Sequence, residues 1–171
     1  NLAQPSAAPT GVSGGRNTAI VQAAQAVGPS VVGIANKAYA RGLFSRRVLV
    51  EQGVGSGVIF DSNGYIVTNF HVVDGAQELT VSLADGRTMP GKVLGTVSAT
   101  DLAVVKVDAT GLPAAVFGNS DTLMVGEPAI AIGNPLGLEF RGSVTTGVIS
   151  ALNRSLEIGE RKFKFIQTDA A

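Results

Sequence analysis

The sequence predicts an all-β protein that carries one N-terminal helix. Three observations predict it. Apolar residues fall in short runs at close spacing, the length of strands rather than of long helices. Glycine supplies 22 of the 171 residues, and it sits with Asn, Asp and Pro between those runs, where tight turns are needed. Hydrophobic content is 45% against 15% charged residues, enough to fill a core and too apolar for a disordered chain. Many short strands with turns between them close into a barrel or stack as a sandwich.

Residues 1–15 are rich in Ala, Pro, Ser and Gly and read as a flexible linker. A helix follows from about Asn17 to Val27: Asn17 or Thr18 can cap it, Ile20, Ala23, Ala24 and Val27 share one face, and Gly28-Pro29 stops it. Val31–Asn36 reads as the first strand and Lys37–Gln52 as a basic, solvated loop. Ser56–Phe60 and Tyr65–Phe70 are strands joined by Asp61-Ser62-Asn63-Gly64, since Asn-Gly between apolar runs is a strong hairpin signal. Leu79, Val81 and Leu83 alternate before a turn at Asp85-Gly86, and Met89–Val97 is a strand whose Pro90 and Gly91 suggest a bulge or an edge. Leu102–Val107 is a near-continuous apolar strand, and Val116-Phe117 is a candidate to close the set. A polar stretch from Gly118 to Glu127 marks a domain boundary, with the helix and a first barrel over 16–120 and a connection plus second unit over 121–171. In that unit Pro128–Gly133, Ser143–Leu152 and Lys162–Thr168 read as strands; Asn134-Pro135 and Asn153–Arg161 read as loops.

Composition excludes several functions. A formal net charge of zero argues against a nucleic-acid surface. The absence of cysteine excludes disulfides, thiol catalysis and Cys-based zinc sites, and a single histidine without clustered carboxylates leaves no metal site. No apolar run approaches the roughly 18 residues that span a bilayer, and no signal peptide opens the sequence; a signal or membrane anchor upstream remains compatible with it.

Chemistry concentrates on His71, the single histidine, in Thr68-Asn69-Phe70-His71-Val72-Val73. A histidine can take and return a proton near neutral pH. Taken alone, a single histidine in an apolar neighbourhood is more often a hydrogen-bonded structural residue than a catalyst. Asp101 opens the strand Leu102–Val107. It reads either as a turn aspartate bonding nearby backbone N–H groups or as the carboxylate that orients His71 and fixes its tautomer.

Beyond these two residues, an ordered set of motifs resembles the HtrA (DegP-type) serine proteases. They are Gly55-Ser56-Gly57-Val58-Ile59-Phe60, Gly64-Tyr65-Ile66-Val67-Thr68-Asn69-Phe70-His71-Val72-Val73, Asp85-Gly86-Arg87, Thr100-Asp101-Leu102-Ala103-Val104, Ala131-Ile132-Gly133-Asn134-Pro135, Gly147-Val148-Ile149-Ser150-Ala151 and Ile166-Gln167-Thr168-Asp169-Ala170-Ala171. The resemblance implies a chymotrypsin-like pair of β-barrels, the second incomplete over these residues, with His71 as general base and Asp101 as its orienter. It also implies that Arg154, in the loop after the Gly147 strand, couples ligand signals to ordering of the active-site loops; an exposed loop arginine is the equal alternative. No metal or cofactor is implied.

In the family, Gln-Thr-Asp-Ala-Ala leads into a Gly-Asn-Ser-Gly-Gly run that carries the nucleophile and oxyanion donors. That run is expected beyond Ala171, with the rest of the second barrel and any PDZ domains. Ser120 reads as a turn residue, and Ser143 and Ser150 lie in strands without a glycine-rich elbow, so none is a candidate nucleophile. The implied activity is that of a serine endopeptidase of protein quality control and stress response, acting on unfolded or misfolded polypeptides. It would work outside the cytoplasm (periplasmic, cell-envelope or secreted) as a homo-oligomer, a trimer or a multiple of one. The rival from another class is a non-catalytic binding or scaffold module that lacks the nucleophile.

Overall fold

A computed structural model describes residues 16–41, 47–133, 142–158 and 161–170. The expected linker, residues 1–15, and the Asn134-Pro135 loop lie outside the described residues. Helix α1 spans Ala19–Val27. Its cap is Thr18, whose hydroxyl accepts the Val21 N–H, and a 3-10 turn over Gly28–Ser30 ends it at Pro29.

Six antiparallel strands then close into a barrel: β1 (Val31–Arg41), β2 (Arg47–Asp61), β3 (Tyr65–Thr68), β4 (Glu78–Ser82), β5 (Thr88–Val97) and β6 (Leu102–Val107). The order around it is β1-β2-β3-β6-β5-β4, with β4 returning to β1 through pairs such as Ile34 with Val81. A single turn of helix, α2 (Phe70–Val73), stands between β3 and β4.

Period-two alternation fills the interior. Val32, Ile34, Ile66, Val81, Val105 and Val107 are 0% exposed. So narrow a barrel cannot hold a large side chain at every inward position. A Cβ at Gly57 would lie 2.7 Å from Ile66 Cγ2, and one at Gly91 would lie 2.9 Å from Val105 Cγ1 and from Val81 Cγ2. The Asn-Gly hairpin forms as expected, with Gly64 at φ +90° and its N–H on the Asp61 carbonyl.

Four expectations need correction. The basic stretch 37–52 is mostly ladder rather than loop: β1 and β2 continue past a bulge at Asn36/Lys37 and pair out to Arg41 with Arg47. The Val48-Leu49-Val50 run supplies that strand, and the surrounding charges conceal it because a backbone ladder does not require buried side chains. Val116-Phe117 forms no strand; both side chains are exposed, and the segment is held by Ala115 N–H on the Ile59 carbonyl. The β5 bulge falls between Val93 and Gly95, not at Pro90-Gly91. Pro90 pairs with Thr80 of β4 just before β6 joins β5 at Gly91, a position with one pairing neighbour where a missing N–H is tolerated.

The fourth correction lies in the second sheet, β7 (Pro128–Gly133), β8 (Ser143–Ile158) and β9 (Arg161–Thr168), paired in that order. Residues 153–158 belong to β8, where Leu156 faces Phe163 and Arg154 faces Phe165. The strand is hard to recognise because its register shifts twice, between Ile149/Ala151 and Ala151/Arg154, with Asn153 in the left-handed region at φ 53°. The connection is stitched to this sheet by Gly126 N–H on the Ile149 carbonyl and Ile149 N–H on the Glu127 carbonyl.

Candidate active site

β3 ends at Thr68, and the chain turns at once into α2, which carries His71 at its second position. Thr68 is buried and donates its hydroxyl to the Ser56 carbonyl at 2.8 Å, fixing the point of departure. A helix of one turn has no stability of its own, so its orientation must come from tertiary contacts.

Asp101 supplies those at the start of α2. It follows a 3-10 turn over Ser98–Thr100 and adopts the left-handed conformation, φ 54° and ψ 42°, which Asp tolerates better than most residues. In that conformation its backbone carbonyl accepts from Phe70 N–H at 3.0 Å and from Asn69 Nδ2 at 3.1 Å. Its carboxylate accepts from His71 N–H at 2.9 Å, from Asn69 Nδ2 at 3.1 Å and from the His71 ring Nδ1 at 2.7 Å. The structure therefore brings His71 and Asp101 together as expected. An ionised carboxylate only accepts, so Nδ1 carries a hydrogen, and in the neutral ring the lone pair lies on Nε2. The ring stays accessible, with 71% of the His71 side chain exposed against 41% for Asp101.

The His71 backbone N–H is the main influence holding the Asp101 carboxyl below the usual aspartate range, with the ring and Asn69 contributing in the same direction against a smaller cost of burial. A depressed pKa stabilises the folded state above the unfolded-state value of about 3.9, and that stabilisation is lost as pH falls through the folded value. The stability difference between the native protein and Asp101→Asn should thus close at acid pH, as the Asp101 carboxylate takes up its proton. Denaturant titrations at a series of pH values measure it; a difference that persisted undiminished at the most acid pH would contradict the assignment.

A cleft of about 530 Å³ opens beside the ring, lined by Asn36, Gly53, Val54, Gly55, Ser56, Asn69 and Val72 among others. Gly55 is there because Val72, the residue after His71, packs on its backbone: a Cβ at Gly55 would collide with both Val72 methyl groups. Gly55→Ala should push α2 aside and destabilise the protein by about 1–3 kcal/mol, the usual range for overpacking. Chemical denaturation measures the loss, and an unchanged midpoint would show that α2 yields freely.

Of the other sequence-derived residues, Arg154 lies in β8 rather than in a loop, and its Nε donates to Gln167 Oε1 at 2.9 Å, not to either member of the His–Asp pair. Ser120 opens an exposed 3-10 turn; Ser143 begins β8 opposite Gly133, and Ser150 lies inside β8. None of these serines lines the cleft beside His71. Sequence reasoning missed Asn69, Gly55 and Asn36 as parts of the site. Their signals were faint: a polar residue just before His71, a glycine in a strand, and an Asn on the inward face of β1 that it shares with Val32 and Ile34.

Residues 55–171 match the family described as trypsin-like peptidase domain. HhoB of Synechocystis sp. is 55% identical over 124 residues, covering 71% of this chain and 29% of HhoB. A Pseudomonas savastanoi protein named "Probable periplasmic serine endoprotease DegP-like" is 51% identical over 120 residues, covering 70% of this chain and 24% of that protein. Among solved structures, the HtrA-type protease AlgW with a decapeptide superposes with a TM-score of 0.78 at 34% identity, covering 90% of this chain and 51% of AlgW. The chain belongs to the HtrA-type trypsin-like peptidases. This HtrA-type chain has a chymotrypsin-like fold, with the barrel β1–β6 complete and the sheet β7–β9 as the part of a second unit that it contains. It spans less than a third of the length of the curated relatives it matches.

Proposed function

We propose that the protein is a serine endopeptidase in which His71 is the general base and Asp101 its orienting carboxylate, with a nucleophilic serine supplied from outside these 171 residues. The observation that carries this reading is the 2.7 Å contact between His71 Nδ1 and the Asp101 carboxylate, with the His71 side chain largely exposed and lining a cleft. In the reaction the serine hydroxyl attacks the peptide carbonyl while Nε2 takes its proton. The proton then passes to the leaving amine, and water resolves the acyl-enzyme by the same route. Substrates of this reading are unfolded or misfolded polypeptides bound as extended strands, in line with the decapeptide in the AlgW structure. The periplasmic name of the DegP-like relative supports work outside the cytoplasm. Assembly as a trimer, and a regulatory part for Arg154 through its bond to Gln167, belong to the same reading. So does a division near residues 120–121, supported by closure of the barrel before the connection and a separate sheet after it.

The test is an active-site phosphonate probe applied to the protein as the cell makes it, with the labelled residue mapped by mass spectrometry. One labelled serine outside residues 1–171 supports the protease. Labelling of Ser120, Ser143 or Ser150 would overturn the placement of the nucleophile, and no labelling with retained peptide binding would favour the binding module.

A further inference from the structure

Asp101 holds the beginning of α2, and a second residue holds its end. Asn36 lies on β1, where it pairs with Leu79 of β4 and Gly53 of β2, at the point where the β1–β2 register shifts. Bulges of this kind re-aim a side chain and recur beside active sites. The Asn36 carboxamide is directed at α2: Nδ2 donates to the Val72 carbonyl at 3.0 Å and to the Asp74 carbonyl at 3.0 Å. These carbonyls flank the end of the turn that bears His71. The neighbouring backbone continues the strap, with Gln77 N–H on the Lys37 carbonyl at 2.9 Å.

The orientation of the carboxamide is set by chemistry. Both partners are carbonyl oxygens, which only accept, so the amide must present its nitrogen to them. Its Oδ1 is then buried without a hydrogen-bond partner, and the whole residue is 5% exposed. A buried acceptor without a partner lowers stability, and such groups in folded proteins call for a reason other than stability. An aliphatic residue would continue the inward stripe of Val32 and Ile34, but it would leave the Val72 and Asp74 carbonyls without these donors.

We propose that Asn36 is a positioning residue: its two hydrogen bonds hold the end of α2 so that the His71 ring stays seated on Asp101. The clamp works on backbone carbonyls, so it acts on the attitude of the turn. Its catalytic consequence rests on the reading of His71 as general base, but the seating of the ring does not.

The test uses Asn36→Val, which removes both donors and suits a strand, and Asn36→Asp, which keeps the shape but only accepts when ionised. Proton NMR reads the seating directly, through the Nδ1–H signal of His71, assigned by its disappearance in His71→Gln. The native protein should show a slowly exchanging downfield signal, lost or broadened in both Asn36 variants while thermal unfolding confirms that they are folded. In the protease, kcat should fall about tenfold to a hundredfold with KM little changed, since a displacement near 1 Å can cost that much. An intact Nδ1–H signal in folded Asn36→Val would overturn the proposal. Should Asn36→Val not fold, the same signal intact in folded Asn36→Asp does so equally. If the native protein has no peptidase activity, the proposed function fails, while the NMR comparison still decides the role of Asn36.

Discussion

His71→Ala should remove about 10⁶ of kcat from the protease, the scale seen when the base of a serine–histidine–carboxylate site is deleted. The size follows from what His71 does alone. It is the single histidine of these 171 residues, and its Nδ1 is the imidazole nitrogen bonded to Asp101. Its ring is 71% exposed and packs into no core, so truncation leaves no cavity and should cost little stability. A serine hydroxyl without a base stays protonated at neutral pH, and what rate remains comes from binding and oxyanion donors. The expected result is a folded protein, unchanged by circular dichroism, that neither turns over peptide nor takes up a phosphonate probe. Residual kcat within a hundredfold of the native value would show that another group serves as base and that His71 is structural.

The barrel was legible in the sequence wherever one face is buried. Ile66 and Thr68 in β3, Leu79 and Val81 in β4, and Ala103, Val105 and Val107 in β6 alternate with half-buried or exposed neighbours, because an antiparallel barrel has one dry face. Legibility failed in the two ribbons that extend away from a core. At 37–41 with 47–52 the strands pair through backbone hydrogen bonds while the side chains described there are exposed or half-buried; at 153–158 the end of β8 pairs in the same way with β9, whose own strand was legible. Sustained hydrophobic alternation, the main signal for a strand, is absent from 37–52 and from 153–158. Asn153 hides the second ribbon further, since a left-handed residue and a double register shift imitate the end of a strand.

The site was legible in its side chains and illegible in its supports. His71 and Asp101 could be paired because their residue types have a known mutual chemistry and both stand at strand ends. The left-handed φ of Asp101, which aims carbonyl and carboxylate together at residues 69–71, has no sequence signature beyond the tolerance of Asp for that conformation. Gly55 and Asn36 act on α2 across the barrel, from positions far off in sequence, and only the closed topology brings them to it.

Asp101→Asn separates orientation from fold most sharply, and kcat should fall by about 10⁴ with the structure retained. The bonds that anchor residues 69 and 70 to the Asp101 backbone carbonyl survive the change, and Asn accepts the left-handed conformation as readily as Asp. What changes is the count of acceptors. The carboxylate receives three groups, His71 N–H, Asn69 Nδ2 and His71 Nδ1–H, on two acceptor oxygens. A carboxamide offers one oxygen, and its nitrogen only donates. With the oxygen on His71 N–H, the amide nitrogen faces Nδ1, and the ring answers by moving its hydrogen to Nε2. Nδ1 then accepts, and Nε2 has lost the lone pair needed by a general base. The Nδ1–H resonance should therefore vanish in Asp101→Asn even though the ring stays in place. Loss of that resonance together with a drop of about four decades in kcat establishes tautomer control. Activity within tenfold of the native protein would mean that Asp101 serves only to hold α2, a part that Asn fills as well.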